Sequence, residues 1–251
     1  MVGSVVSTRA SQPKPVTDCR CAADPLPCLR CSVKAANVCQ PLEYERQTEL
    51  FKLGAQRAWE RRQFLFRAGS PAGPILKITS GMVAISKPLH DGRRQILEFC
   101  LSGDICGILE ADGRYIYDCE AISKVAACAF NRSRFMTFVA QHSDVSDAIT
   151  RVLHTKLKRA REQMAVVGQL SSSERVANFI STLSIVYSEH AIQTRPLSLP
   201  MKRVDIADYL GLRIETVSRA LSKLKKRGIL ELNDDEIVIH EPARLARLSG
   251  V

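Results

Sequence analysis

The stretch from Lys202 to Leu232, KRVDIADYLGLRIETVSRALSKLKKRGILEL, constrains the fold of this chain more than any other. Val204, Ile206, Ala207 and Leu210 fall on one side of a short helix, and Gly211 permits a sharp chain reversal. Ile214, Val217, Leu221 and Leu224 then recur at helical spacing and form the buried stripe of a second helix. Glu215, Ser218, Arg219 and Ser222 are left on its outer face. After Gly228, two short apolar runs flank Asn233-Asp234-Asp235 and read as a β-hairpin wing. The whole predicts a winged helix-turn-helix. Its outward side chains suit base edges: an arginine fork holds guanine O6 and N7, a glutamate accepts from cytosine N4, and a serine adapts to either. Lys223, Lys225, Lys226 and Arg227 at the far end suit phosphates, and equally the helix dipole. A helical hairpin without a nucleic-acid role is the alternative.

Bulk composition agrees with a polyanionic partner. Thirty-six Lys and Arg face 26 Asp and Glu, a formal net charge of +10. No apolar run is long enough to span a bilayer, and the first residues, MVGSVVSTRASQPKP, do not read as a secretion signal, so a cytoplasmic protein without a membrane partner is expected. No catalytic-triad spacing, HExxH or phosphate-binding glycine loop is present, which argues against an enzyme. His90, His142, His154, His190 and His240 read as ordinary solvated positions.

From Gln63 to Phe130, short apolar runs alternate with glycine punctuation, and Asp91-Gly92 is a strong hairpin signal. This predicts an antiparallel β-roll, with AISKVAACAF as a buried strand and a short helix before it over residues 43–58. Asp144 to Leu170 has no proline and predicts one long helix, on which Leu153, Leu157, Ala160, Met164 and Val167 make a narrow apolar seam. Such a seam pairs two subunits or packs on the roll. Ser171 to Glu174 can cap a further helix to about Tyr187, and SEHAIQTRPLSLP reads as a linker. The expected fold is α+β: a cysteine-bearing arm over 1–45, a β-roll over 46–140, a dimerisation helix over 141–171 and a winged helix-turn-helix over 172–251.

Nine cysteines are present, five of them between Cys19 and Cys39. In a reducing compartment such a cluster points to metal or redox chemistry. Cys28, Cys31 and Cys39 give three thiols in a short loop. Iron–sulfur clusters and structural zinc both need four ligands. Cys19, Cys21, Cys100, Cys106, Cys119 and Cys128 are all candidates for the fourth, and spacing does not choose between them.

DIADYLGLRIETVSRALSKLKKRGIL resembles the DNA-binding motif of the CRP–FNR regulators. Glu215, Ser218 and Arg219 match the FNR and FixK branch, whereas the CRP branch usually has glycine where Ser218 stands. The resemblance extends over almost the whole chain. It implies a cyclic-nucleotide-binding-like β-roll, a homodimer and two recognition helices about 34 Å apart on double-stranded DNA. It further implies a palindrome of the form TTGAT, four bases, ATCAA, which only the Glu215, Ser218 and Arg219 positions support here; Ser222 and Lys223 are expected DNA contacts from their place on the second helix. It implies a [4Fe-4S] cluster on Cys28, Cys31, Cys39 and Cys128, the last placed by SKVAACAF, with a wider final gap than the shortest pattern in that branch. Cys100, Cys106 and Cys119 then read as small core residues. Activation under low oxygen through RNA polymerase follows by resemblance; the contacting surface does not, and loops of the β-roll are candidates, Asp91 to Arg94 among them. An iron-free zinc or thiol-redox regulator is the main alternative. A cyclic-nucleotide receptor is a further one, although Tyr115 and Ile116 replace the Arg-Ser pair of that pocket and Ile108 its glutamate.

Overall fold

The structure, a computed structural model, describes residues 42–190 and 196–250. Cys19, Cys21, Cys28, Cys31 and Cys39 lie outside the described residues. The chain enters through α1 (Tyr44–Lys52) and passes directly into β1 (Gly54–Trp59). The helix expected over 43–58 therefore stops early. β1 pairs with the last roll strand in a register that sets Gly54 opposite Phe130, and a Cβ on Gly54 would lie 2.8 Å from that ring. Sheet pairing wins over continued helix there.

The roll continues with β2 (Phe64–Phe66), β3 (Ile75–Ser80), β4 (Val83–Pro88), β5 (Arg94–Cys100), β6 (Ile105–Cys106), β7 (Glu110–Ala111), β8 (Arg114–Tyr115), β9 (Asp118–Ala121) and β10 (Val125–Phe130). AISKVAACAF is thus not one strand but the end of β9, a turn and β10. Two antiparallel sheets, β1-β10-β3-β6 and β2-β9-β4-β5, enclose Trp59, Leu76, Ile78, Val83 and Val125. Gly92 closes the β4–β5 hairpin at φ +83°, the left-handed conformation that the Asp-Gly signal predicts.

Three helices follow: α2 (Arg132–Gln141), α3 (Ser143–Gln169) and α4 (Ser172–Glu189). α4 begins with the expected capping box between Ser171 and Glu174. Phe135, Phe138, Val145 and Val152 of α2 and α3 cover the outer face of β1-β10-β3-β6, together with Leu42 and Leu50. The C-terminal unit comprises β11 (Leu197–Ser198), α5 (Arg203–Leu210), α6 (Ile214–Lys226), β12 (Leu230–Asn233), β13 (Glu236–Ile239) and α7 (Pro242–Leu248). The segment read as a linker ends in β11, which adds a third strand to the wing by pairing with β13.

The two halves share one core. Met82, Ala84, Ile96, Leu101 and Ile122 of the roll pack with Val176 and Ile180 of α4 and with Leu210, Leu221 and Ile237 of the C-terminal unit. β4 is consequently buried on both faces, with Val83 turned into the roll and Ala84 toward the C-terminal unit. Phe99, Phe179 and Tyr209 complete the junction, Phe99 and Tyr209 having ring centroids 5.2 Å apart. Among the described residues no helix is long and apolar enough to cross a membrane.

His190 corrects a sequence expectation. It is buried at the end of α4, not solvated, with Nδ1 2.8 Å from the Val186 carbonyl and Nε2 3.3 Å from Asp104 Oδ1. Burial by itself lowers the imidazole pKa, but the contact with Asp104 outweighs it and the pKa lies above its ordinary value, Arg159 opposing. Burial raises Asp104, yet His190 and the Lys156 ammonium together hold it below the ordinary carboxylate range. The stability His190 supplies is full below its unfolded pKa and is lost as pH rises through its raised folded value. That of Asp104 is full above its unfolded pKa and is lost as pH falls through its lowered one. The pair is strongest from about pH 4 to about pH 6.5. Thermal melts from pH 6 to 9 should therefore show wild type losing more stability than His190→Gln; parallel curves would remove this linkage.

Candidate nucleic-acid interface

Gly211 ends α5 in the left-handed conformation, φ +62° and ψ +41°, and so swings the chain into α6. Asp205 caps α5 by accepting from the Lys202 amide at 2.8 Å. α6 is anchored by Val217, Ala220, Leu221 and Leu224. Ile214 does not join them. It is 44% exposed, because it sits in the first turn of α6, one step ahead of the residues packed on α4 and α5. Sequence periodicity put Ile214 on the buried stripe, which records the side of a helix but not where its neighbour ends.

Glu215, Arg219, Ser222 and Lys223 are exposed on α6, and Ser218 is half-buried beside them. Ser218, Arg219, Ser222 and Lys223 line one open depression with Lys226 and Arg227. All five proposed base- and phosphate-contacting residues thus lie on one face, with four cationic side chains around the depression and Glu215 nearer the helix start. The exposed Ile214 next to Glu215 offers an apolar surface of the kind that meets a thymine methyl. Lys225 stands outside the depression. The wing is acidic and turned toward the roll: Asp235 lies 3.8 Å from Arg61, and its carbonyl accepts from the Leu199 amide.

On α3, Val145, Ala148, Val152 and Val166 are buried. Leu153, Leu157, Ala160 and Met164 are on another face and exposed, Met164 by 74%. Four of the five seam residues therefore do not pack on the roll of their own chain. Val167 is half-buried and leans on the turn at Gly211. Of the loop Asp91 to Arg94, Asp91 and Arg93 form an exposed pair, but Arg94 points inward to α5 and is not available to a partner at the surface.

The described cysteines divide into two sets. Cys100, Cys106 and Cys119 lie inside the roll. For Cys100 the contact with Cys106 and then burial push the thiol well above its ordinary pKa; for Cys119 burial does so. Neutral thiols in an apolar core are poor ligands, since metals bind the thiolate. Cys128 is different. It lies on β10 between Gln56 and Lys77, half-buried on the outer face, against the cluster that contains Leu42 and Leu50. Among the described residues no three His, Cys, Asp or Glu side chains are grouped to hold a metal ion.

Residues 174–248 match the Crp-like helix-turn-helix domain family and residues 56–142 the cyclic nucleotide-binding domain family. The nitrogen fixation regulation protein FixK of Bradyrhizobium diazoefficiens is 31% identical over 227 residues, spanning 89% of this chain and 94% of that protein. The chain belongs to the CRP–FNR family of transcription regulators. The transcriptional activator protein FnrL of Cereibacter sphaeroides is 27% identical over 232 residues, 89% of this chain and 92% of that protein. The solved structure of FixK2 from Bradyrhizobium japonicum superposes with a TM-score of 0.72 at 31% identity, covering 79% of this chain and 98% of that one. CRP–FNR regulators are not enzymes; they bind DNA as dimers and contact RNA polymerase.

The roll's family name implies a cyclic nucleotide, but these residues do not fit one. Tyr115 stacks on Phe66 with centroids 4.1 Å apart and donates to the Pro74 carbonyl at 2.7 Å. Arg132 donates to the carbonyls of Gly73, Gly107 and Ile108, and Arg114 to that of Gly69. The guanidinium of Arg132 is thus engaged through Nε, Nη1 and Nη2 on backbone oxygens, and that of Arg114, within the stretch GILEADGRYIYDCEA, through Nη1; a phosphate would have to displace these bonds or do without them.

Proposed function

We propose that this CRP–FNR regulator is a cytoplasmic, oxygen-responsive activator that carries a [4Fe-4S] cluster on Cys28, Cys31, Cys39 and Cys128. As a dimer joined along Leu153, Leu157, Ala160, Met164 and Val167, it reads a palindromic site with Glu215, Ser218 and Arg219, supported by Ser222 and Lys223. The domain limits 46–140, 141–171 and 172–251, after an arm over 1–45, follow the same reading.

One observation carries the sensing part: of the four described cysteines, Cys128 alone faces outward, against the apolar cluster that receives the chain at Leu42. Cys39 is three residues before Leu42, within about 10 Å of extended chain. That cluster also contains Val145 and Val152 of α3, so a group bound there bears on the helix that pairs the subunits. When bound, an iron–sulfur cluster supplies a centre that oxygen destroys. The residues of this chain tie the arm to the roll while it is present, which shifts a balance between paired and separate subunits. The name of one relative agrees with a low-oxygen role: an anaerobic regulatory protein of Pasteurella multocida is 29% identical over 228 residues, 89% of this chain.

The test is anoxic purification with iron and acid-labile sulfide counts and sedimentation. Brown protein with about four iron and four sulfide per protomer, bleaching in air with a fall in mass, supports the proposal. Cys128→Ser should lose nearly all of the iron. Colourless anoxic protein without sulfide, or a Cys128→Ser variant with a full cluster, overturns it. Bound zinc in place of iron would establish the iron-free alternative.

A further inference from the structure

Five charged side chains meet where the helix-turn-helix sits on the roll. Arg62 from the turn after β1, Arg94 of β5 and Glu120 of β9 come from the roll, while Asp205 and Asp208 come from α5. Arg62 forks onto Asp205, Nη1 to Oδ1 at 3.1 Å and Nη2 to Oδ2 at 3.2 Å, and also reaches Glu120 at 3.2 Å. Arg94 donates to Asp205 at 2.6 Å, to Asp208 at 2.9 Å and to Glu120. Asp205 is 0% exposed and Glu120 5%. Arg62 holds φ +72°, rare for a residue with a side chain, with its amide bonded to the Ala121 carbonyl at 2.8 Å.

Burying charge and straining backbone both cost stability relative to apolar contact. Forked, charge-assisted bonds supply direction, which apolar packing does not. The surrounding polar contacts point the same way: Gln95 and Gln163 both donate to the Tyr209 carbonyl at 3.1 Å, and Arg61 to that of Pro200 at 2.8 Å.

We infer that Arg62, Arg94, Glu120, Asp205 and Asp208 are positioning residues for DNA reading, which set the angle of the helix-turn-helix on the roll and thereby the separation of the two reading helices in the dimer. The inference rests on the reading of a dimer on a palindrome. The subunit seam lies on α3, and α3 is tied to the roll by Lys156, 2.6 Å from Glu98. The reading helix is thus held to the seam by two routes, through α5, the ion cluster, the roll and α3, and by the direct contacts of α3 at Gln163 and Val167 with the end of α5. Two half-sites one DNA turn apart are engaged together only if that connection is stiff.

The test uses full-length, anoxically prepared protein and labelled duplexes: TTGAT and ATCAA separated by four bases, the same half-sites with two bases more or fewer, and a lone half-site. Wild type should prefer the four-base spacing by about tenfold or more. Arg94→Gln and the milder Asp208→Asn should reduce that preference to within about threefold, with lone half-site affinity within about twofold of wild type. Variants that keep the full spacing preference, or that lose half-site affinity equally, overturn the inference. A wild type that binds all spacings alike removes the palindrome reading, and this inference with it; a wild type with a preference that the variants share removes the inference alone.

Discussion

Arg219→Ala is expected to weaken binding to the palindromic site far more than binding to unrelated duplex. A forked contact to guanine discriminates by about 1–3 kcal/mol, roughly 5- to 150-fold per half-site, and a dimer loses it twice. Arg219 is exposed on α6 at the edge of the depression that Lys223, Lys226 and Arg227 share, and among the described residues its guanidinium makes only a 3.5 Å contact between Nη2 and Thr216 Oγ1. Its guanidinium is thus free to engage a base without breaking the fold. The three remaining cations still attract phosphates, so the salt dependence should hardly change. Lys223→Ala should do the reverse, lowering affinity on all sequences alike and flattening the salt slope. Fluorescence anisotropy on cognate and scrambled duplexes at two salt concentrations separates the two. Equal losses on both duplexes for Arg219→Ala would mean that it is a phosphate ligand.

Asp205→Ala should be the most destabilising single change at the junction. Removing one partner from a buried ion cluster costs about 3–5 kcal/mol, and the Lys202 amide at the start of α5 also loses its acceptor. Arg62 and Arg94 would then face each other with only Glu120 and Asp208 between them. Both arginines keep some contact with water, their side chains being 35% and 24% exposed, which favours the low end of that range. For a chain of this size the melting temperature should fall by on the order of 10 °C. Asp208→Asn, at the open edge of the same cluster, should cost no more than about 1 kcal/mol. Thermal melting of the three proteins under one buffer decides this. A Tm for Asp205→Ala within about 2 °C of wild type would show that the cluster does not hold the junction.

Much of the reading face was legible because helices and turns leave local marks. Val217, Leu221 and Leu224 recur at helical spacing, so Glu215, Arg219, Ser222 and Lys223 had to fall on the other side. Gly211 and Gly92 stand where the backbone needs positive φ, and Ser171 with Glu174 closes a capping box within one turn. The apolar stripe Leu153, Leu157, Ala160 and Met164 was legible as one face of a helix for the same reason, but it is exposed, and a second stripe, Val145, Ala148 and Val152, is the buried one.

The misses share a different cause. Nothing local marks Asp205 as a buried charge, since its partners Arg62 and Arg94 are 143 and 111 positions away. His190 looked solvated until Asp104 closed over it, and Gly54 looked helical until Phe130 settled beside it. Ile214 carries the period of a core residue and lies just past the edge of the core. Local geometry repeats every few residues and is written in the chain itself, so the sequence alone determined the elements, their faces and the chemistry of the outward side chains. Which sheet face receives which helix, and which charges end up without water, depends on contacts between distant segments. Those contacts exist only once the apolar faces have been buried against each other, and so only the tertiary structure decided the junction.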